Sequence, residues 1–408
     1  MRNVQIDTLR FVFSVIIVLH HSRYVLGDEN CLFLGGSLAV EFFFFVSGYL
    51  MLVSVQRVNK KEIAPLPKGA ETPRQVFAAD EEGKVTALRA VPAKDGAGEK
   101  TAPVAPGTGT QTWHFLKRKI FGFLPEFLIA WVIGFWLKAI LQGYGLRDVW
   151  TAFIDNFWEL TLVRMSGLYT GGLDGVIWYL SAMLIGMAIL YPLLLRHEDE
   201  MTHIVCPLLA LFLYGYLCRN YSHPRDPGVW TGFAYKGLLR GIAGLSAGVT
   251  ARIAVQWVER RLRGRSLTAF GSFMISLAEM VFLILPIRYM YLRTPSQTDY
   301  FYMFLMLILV ILCFSNLGWE SRLLRGRTWP GRISAFLARY SLALYLSHIY
   351  FAQGIGSFPG AESWTDPQKM GVYLMLSFAN GLLVLFLSTL CRRNAPGIRR
   401  AVKRIFIL

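Results

Sequence analysis

The sequence predicts an all-α polytopic membrane protein with about ten transmembrane helices. Of its 408 residues, 54% are hydrophobic and only 17% are charged, whereas a soluble domain carries about 25% charged residues. Several apolar runs reach the roughly 18 residues or more that mark a membrane-spanning helix. The stretch 148–165 is too polar for a span, and we expect an amphipathic or re-entrant helix there. The predicted spans are 6–24, 37–55, 117–142, 175–195, 203–219, 237–257, 267–287, 300–316, 334–352 and 371–391.

The distribution of basic residues predicts the orientation in the membrane. Lys and Arg gather in alternate junctions between the apolar runs, and such junctions lie on the cytoplasmic side. Both termini are therefore predicted to be cytoplasmic. The net charge of +16 is explained by these loops beside an anionic leaflet, and we expect no nucleic-acid partner. The basic junctions are 57–119, 260–265, 322–327 and the tail 392–404, with the more acidic 196–200 as the weakest.

A long interruption divides the chain. Residues 58–112 hold six prolines and a single aromatic residue, Phe77, so they cannot bury a core. Within them, 74–91 has the pattern of a small hairpin around Glu82 and Gly83. The predicted organisation is a first pair of helices at 1–57, a disordered cytoplasmic loop at 58–114, eight further helices of one domain at 115–395 and a basic cytoplasmic tail at 396–408.

The cysteines give no sign of a metal site. The chain has five, and they are scattered, with neither a CxxC pair nor a Cys/His spacing suited to zinc. We expect free thiols and no bound metal.

Two polar residues bracket the apolar run of the first helix. Eleven residues turn an α-helix by about 1100°, so Arg10 and His21 share one face about 16 Å apart along the axis, whereas His20 lies about 80° away. Asp7 is close enough to pair with Arg10. One interpretation is that Asp7 and Arg10 are interfacial anchors and His21 extends outward. The other is a polar cavity, because ionisable groups inside a membrane usually face one.

The second helix carries a carboxylate and two small residues. Glu41 lies inside the span and needs a partner, so it either orients His21 or holds an arginine in a structural ion pair. Ser47 and Gly48 allow another helix to approach closely. Arg240, near the outer end of its own helix, is expected to extend to the interface rather than to bind a substrate.

The motifs resemble those of acyltransferase family 3 membrane proteins. The family's paired signatures are an arginine and a histidine separated by ten residues on helix one, and FFxxSG on helix two. Both occur here, as Arg10 with His21 and as residues 43–48. The stretches Trp178–Ser181 and Tyr340–His348 also look like family segments, and the similarity covers nearly the whole chain apart from 58–112.

One position departs from the family pattern. Members often begin helix three with Arg-Ile-x-Pro, but the corresponding stretch here begins with Gly122 and ends with Pro125. Arg118 lies just upstream, and we assign it the role of the missing arginine.

The resemblance implies an O-acyltransferase of the plasma membrane (the inner membrane, in a bacterium). It implies transfer of an acyl group, commonly acetyl, from cytoplasmic acyl-CoA to a hydroxyl of a cell-envelope glycan or lipid-linked sugar. Acetyl-CoA would be a co-substrate, and the bilayer the other partner. The implied catalytic residues are His21, as general base, and Glu41; Arg10 and Arg118 would bind the donor. The implied substrate-binding residues are Ser47, Trp178, Tyr179, Ser181, Tyr345 and His348.

Two other functions compete with acyl transfer. Charged groups in line along one helix also suit a transporter of a small polar or lipid-linked solute, although the sequence has neither an internal repeat nor paired broken helices. The second competitor is a catalytically idle scaffold in a biosynthetic assembly. Release of free thiol from acetyl-CoA separates both from an acyltransferase.

Overall fold

A computed structural model describes residues 3–63, 77–79, 85–87, 107–168, 172–263, 267–320 and 328–405. The main helices are α1 Val4–His20, α2 Ala39–Ile63, α3 Thr108–Leu141, α4 Leu146–Asn156, α5 Trp178–Arg196, α6 Cys206–Tyr221, α7 Lys236–Arg261, α8 Ala269–Leu292, α9 Asp299–Ser315, α10 Thr328–Ser347, α11 Ile349–Gly354 and α12 Asp366–Ile405. Shorter turns of helix are Arg23–Leu26, Gly36–Leu38, Phe157–Thr161, Arg164–Ser166, Gly175–Ile177, Glu198–Glu200, Met201–Val205, Ile355–Ser357 and Ala361–Ser363, and the strands are β1 Phe77–Ala79 and β2 Val85–Ala87.

The described helices confirm an all-α polytopic membrane protein. Eight of them are long and apolar enough to cross a membrane. The shorter apolar helix α9 and the 20-residue helix α10 occupy the two remaining predicted segments. Every predicted span thus corresponds to a helix, and the polar stretch 148–165 forms α4 and short turns instead.

The helices on either side of the long interruption extend into it. Helix α2 continues to Ile63 and helix α3 begins at Thr108, inside the range predicted as a loop. Strands β1 and β2 pair antiparallel, with Phe77 opposite Ala87. Position 82 lies midway between these paired residues, where the sequence predicts the turn of the hairpin. Residues 64–76, 80–84 and 88–106, the basic junction 322–327 and part of 260–265 lie outside the described residues.

Two helices organise the bundle. Helix α7 packs against α2, α5, α6 and α9, while α10 packs against α1, α3 and α12. Because α1 also contacts α2, the first two helices join the two groups. This arrangement places the motif-bearing faces of α1 and α2 in the interior, next to α10 and α5.

Glycines make the closest of these crossings possible. A Cβ atom added to Gly48 of α2 would overlap the carbonyl oxygen of Leu245 in α7, and one added to Gly248 of α7 would overlap the carbonyl oxygen of Phe45. Backbones that approach so closely are typical of small-residue contacts between membrane helices. The SG pair of the second signature therefore has a packing role at its glycine.

We expect Gly48→Ala to destabilise the protein by about 1–3 kcal/mol, the usual cost of adding a methyl group to a filled interior. Thermal unfolding in one detergent, followed by size-exclusion chromatography, measures the change. Gly215→Ala is the matched control, because a Cβ atom at Gly215 meets nothing within 4 Å. Equal midpoints for the two variants would contradict this account of the crossing.

Candidate active site

The site lies along the contact between α1 and α10. The side chains of Arg10, Ser14 and His21 follow one face of α1, as the helical spacing predicts. His21 is the first residue after α1, and its Nδ1 atom lies 2.9 Å from Nε2 of His348, just beyond the end of α10. His348 is fully buried, whereas His21 is partly exposed. The packing of the two helices thus brings a histidine of the first signature next to the last residue of the Tyr340–His348 segment.

The neighbouring histidine has a different role. His20 is buried, and its Nδ1 atom lies 2.9 Å from the carbonyl oxygen of Phe33 in the connection to α2. Phe33 has a left-handed backbone, with φ of 59°. This bond holds the connection against the end of α1 and so fixes the rotation of the residues next to it, including His21.

A pocket lies among helices α1, α2, α3, α5 and α10, on the Arg10 side of the histidine pair. Its volume is about 330 Å³. Arg10 and Lys119 place positive charges in its lining, and Tyr345 contributes an aromatic ring. Arg10 also pairs with Asp7, at 3.4 Å. The lining residues are Arg10, Ser14, Val40, Phe43, Val46, Ser47, Lys119, Gly122, Phe123, Tyr179, Leu180, Met183, Ala338, Ser341, Leu342 and Tyr345.

Three aromatic rings form the wall of this pocket nearest to His348. The ring centroids of Phe43, Tyr179 and Tyr345 lie 6.0 to 6.4 Å from one another. The Tyr345 hydroxyl donates to the carbonyl oxygen of Val176 at 2.8 Å, and the Tyr179 hydroxyl lies 3.3 Å from Oγ of Ser47. Three of the predicted substrate-binding residues, Ser47, Tyr179 and Tyr345, therefore line the pocket through groups held in place by the fold.

The predicted donor-binding Arg118 lies in an adjacent pocket. That second pocket, also about 330 Å³, includes Arg57, Arg118 and Lys119. Lys119 lines both pockets, so it is the basic residue of helix α3 that stands beside Arg10. The sequence placed both basic residues one turn before Gly122, and only the packing of α3 distinguishes them.

Glu41 contacts an arginine. Its carboxylate pairs with Arg240 and accepts a hydrogen bond from the Tyr214 hydroxyl. Arg240 is 1% exposed, donates to the carbonyl oxygen of Pro224 at 3.0 Å and lies 5.2 Å from the ring centroid of Trp178. The expectation that Arg240 extends to the interface is thus wrong, because a carboxylate and a carbonyl dipole compensate its charge inside the protein.

Two further predicted substrate-binding residues have structural contacts. Trp178 lies beside the Arg240 guanidinium, and the Ser181 hydroxyl accepts a hydrogen bond from the backbone N–H of Met165 at 2.9 Å. Neither residue lines the pocket that holds Arg10. The structure therefore groups Arg10, Ser47, Tyr179 and Tyr345 in one pocket, with His21 and His348 beyond its aromatic wall.

A pair of buried carboxyl groups anchors the segment before α5. Glu159 accepts hydrogen bonds from the Trp131 indole at 3.0 Å and from the backbone N–H of Asp174 at 2.9 Å. Asp174 in turn accepts from the Tyr350 hydroxyl, at 3.3 Å. Burial, together with the nearby Glu159 carboxylate, raises the pKa of Asp174 from its usual 3.8 to about 8.

The raised pKa of Asp174 predicts a dependence of stability on pH. Folding favours the protonated carboxyl group, so its contribution to stability is complete below about pH 4 and is lost as the pH rises to about 8. Between about pH 6 and 8, we expect the thermal midpoint of the wild type to fall more than that of Asp174→Asn. Asp155→Asn, at an exposed position of α4, should keep the wild-type slope. Parallel slopes for the wild type and Asp174→Asn would refute the prediction.

Comparison with known proteins identifies the family to which the chain belongs. Residues 3–391 match the model of acyltransferase family 3, which is described as an acyltransferase domain. No curated protein and no solved structure matches the chain. The match covers both signature segments and nearly the whole sequence, so the resemblance is confirmed. The chain belongs to acyltransferase family 3 and is a multi-pass membrane acyltransferase.

Proposed function

We propose that this protein transfers an acetyl group from acetyl-CoA, bound from the cytoplasm, to a hydroxyl of a cell-envelope glycan or lipid-linked sugar at the plasma membrane. The observation that carries the proposal is that His21 lies on the same face of α1 as Arg10, which shares a pocket with Lys119. Arg10 and Lys119 meet in a pocket, and His21 lies about 16 Å further along the same helix as Arg10. A pantetheine arm is of the length needed to connect the two levels.

The pocket around Arg10 suits coenzyme A. Its phosphate groups favour arginine and lysine. Lys119, which shares the pocket with Arg10, also lines the adjacent pocket together with Arg57 and Arg118. The Ser14 hydroxyl lines the pocket about 6 Å beyond Arg10 along the axis. It is buried without a hydrogen-bond partner among the described residues, so it is available to an amide group of the pantetheine arm.

The reacting end suits a hydroxyl acceptor. A hydroxyl is a weak nucleophile at neutral pH, and a neutral histidine beside it can take its proton during the attack. The new C–O bond forms as the thioester C–S bond breaks, and His21 returns the proton to the departing thiolate. Partly exposed His21 has the exposed ring of Tyr24 stacked on it, at 5.8 Å between centroids, and an aromatic face fits the C–H face of a sugar.

A thiol-release assay tests the proposal. Purified protein with acetyl-CoA should release free thiol, and faster once the acceptor is added, whereas a transporter or scaffold should not. Mass spectrometry of envelope glycans from cells with and without the protein identifies the acceptor, because one sugar should lose one acetyl mass. Absence of both thiol release and a glycan mass change would refute the proposal.

The two pocket cations should act on donor binding. We expect Arg10→Gln and Lys119→Gln each to raise KM for acetyl-CoA by about tenfold or more, since a hydrogen bond to a charged group contributes about 1.5–3 kcal/mol. Steady-state thiol release at varied acetyl-CoA measures the effect. Arg147→Gln, on the exposed face of α4, should leave KM unchanged. A wild-type KM in both pocket variants would remove these cations from the donor site.

A further inference from the structure

The hydrogen bonds of His348 fix the proton positions on its ring. Its Nδ1 atom lies 3.1 Å from the carbonyl oxygen of Leu344, one turn earlier in α10. A carbonyl oxygen can only accept, so Nδ1 of His348 must carry the hydrogen. In a neutral imidazole the other nitrogen is then an acceptor. His348 therefore presents the lone pair of Nε2 toward α1.

The same reasoning extends to His21. Its Nδ1 atom lies 2.9 Å from Nε2 of His348, and a hydrogen bond between them requires one donor. Because Nε2 of His348 accepts, Nδ1 of His21 donates. The Nε2 atom of His21 is then the unprotonated nitrogen, the form that a general base needs.

We propose that His348 is a positioning residue, which holds His21 in the Nδ1-protonated tautomer and so leaves Nε2 of His21 to accept the proton of the substrate hydroxyl. This inference rests on the proposed function of His21 as the base. The Nε2 atom of His348 occupies the place beside the Nδ1–H of the base that a carboxylate takes in other histidine-based sites, and the Leu344 carbonyl in turn orients His348. When His21 accepts a proton, its added positive charge faces the lone pair of His348.

The surroundings of His348 suit a fixed orientation. Its side chain is 0% exposed, and the ring centroid of Tyr345 lies 6.2 Å away. Tyr345 is itself bonded to the backbone of Val176. The His348 ring is therefore held from both nitrogens and by its packing, which leaves His21 as the more accessible member of the pair.

Two substitutions separate positioning from simple packing. His348→Phe keeps a ring of similar volume but removes the acceptor, whereas His348→Gln keeps a carbonyl oxygen near the position of Nε2. We expect His348→Phe to lower kcat by about ten- to a hundredfold with KM for acetyl-CoA within about twofold of the wild type. His348→Gln should restore most of the loss. With both variants folded by size-exclusion chromatography and thermal unfolding, equal activity of the two variants would overturn the inference.

A spectroscopic measurement reads the tautomer without relying on activity. The chain has seven histidines, so the ¹⁵N-histidine spectrum of the wild type minus that of His21→Asn isolates the signals of His21. We expect a protonated Nδ1 and an unprotonated Nε2, and a mixture of tautomers in His348→Phe. A protonated Nε2 on His21 in an active enzyme would overturn this inference alone. An Nδ1-protonated His21 in a protein without thiol release would refute the proposed function alone.

Discussion

Replacing His21 by alanine is expected to slow acyl transfer by about a hundred- to ten-thousandfold, the usual contribution of a general base. The hydroxyl would then have to lose its proton to water during attack. Acetyl transfer from labelled acetyl-CoA to the acceptor, at saturating donor, measures the loss. KM for acetyl-CoA should change little, since the cations of the donor pocket are about 16 Å away along α1.

The control for His21→Ala is another histidine. His203 is exposed, and His203→Ala should transfer acetyl at the wild-type rate. The folded fraction of each variant is checked by its elution profile and thermal midpoint. Full transfer by folded His21→Ala would remove the base from the mechanism.

Removing one charge of the buried Glu41–Arg240 pair is expected to destabilise the protein by about 3–5 kcal/mol. Both side chains are at most 1% exposed, so Glu41→Leu leaves the Arg240 guanidinium inside the protein without its counter-charge. The expected result is a lower unfolding midpoint in detergent and reduced yield. Arg240→Leu should have a similar effect, because it leaves the carboxylate uncompensated.

The double variant Glu41→Leu with Arg240→Leu distinguishes charge from packing. It removes both buried charges, so it should recover much of the stability that each single variant loses. Asp28→Asn provides a comparison at the surface, because Asp28 is 54% exposed where it meets Arg23, and such pairs contribute about 0–1 kcal/mol. A double variant less stable than both single variants would show that the charges are not the cause.

Helical periodicity predicted what lies along one helix. The alignment of Arg10 with His21 depends only on the rise and turn of α1. In the structure, Arg10 lines the pocket, and His21 directly follows the last residue of α1, beside α10. The same arithmetic separated His20 from that face. His20 instead forms a hydrogen bond with Phe33, in the connection between α1 and α2. Its position about 80° around the helix from the shared face of Arg10 and His21 allows this contact.

Periodicity within a helix does not tell which helices are neighbours. His21 and His348 are 327 residues apart in sequence, and Glu41 and Arg240 are 199 apart. Each pair depends on which helix faces of the bundle meet, so neither partner was identified from the sequence. The choice of Lys119 over Arg118 has the same origin, because the rotation of α3 is set by its packing.

The second signature combines two roles in adjacent residues. Ser47 lines the pocket and contacts Tyr179, while Gly48 lets α2 cross α7. Neighbouring residues of a helix point about 100° apart, so one can face a pocket while the next faces another helix. A short motif thus constrains both the site and the bundle around it.

The bond between His20 and Phe33 has a consequence for insertions and deletions. Because it ties the end of α1 to the following connection, a residue inserted between Arg10 and His21 cannot be absorbed simply by turning that end of the helix. One added residue rotates His21 by about 100° and shifts it by about 1.5 Å relative to Arg10, away from His348. The number of residues in this part of α1 is therefore as much a determinant of the site as their identity, and length changes are better tolerated in loops that leave this face of α1 unchanged.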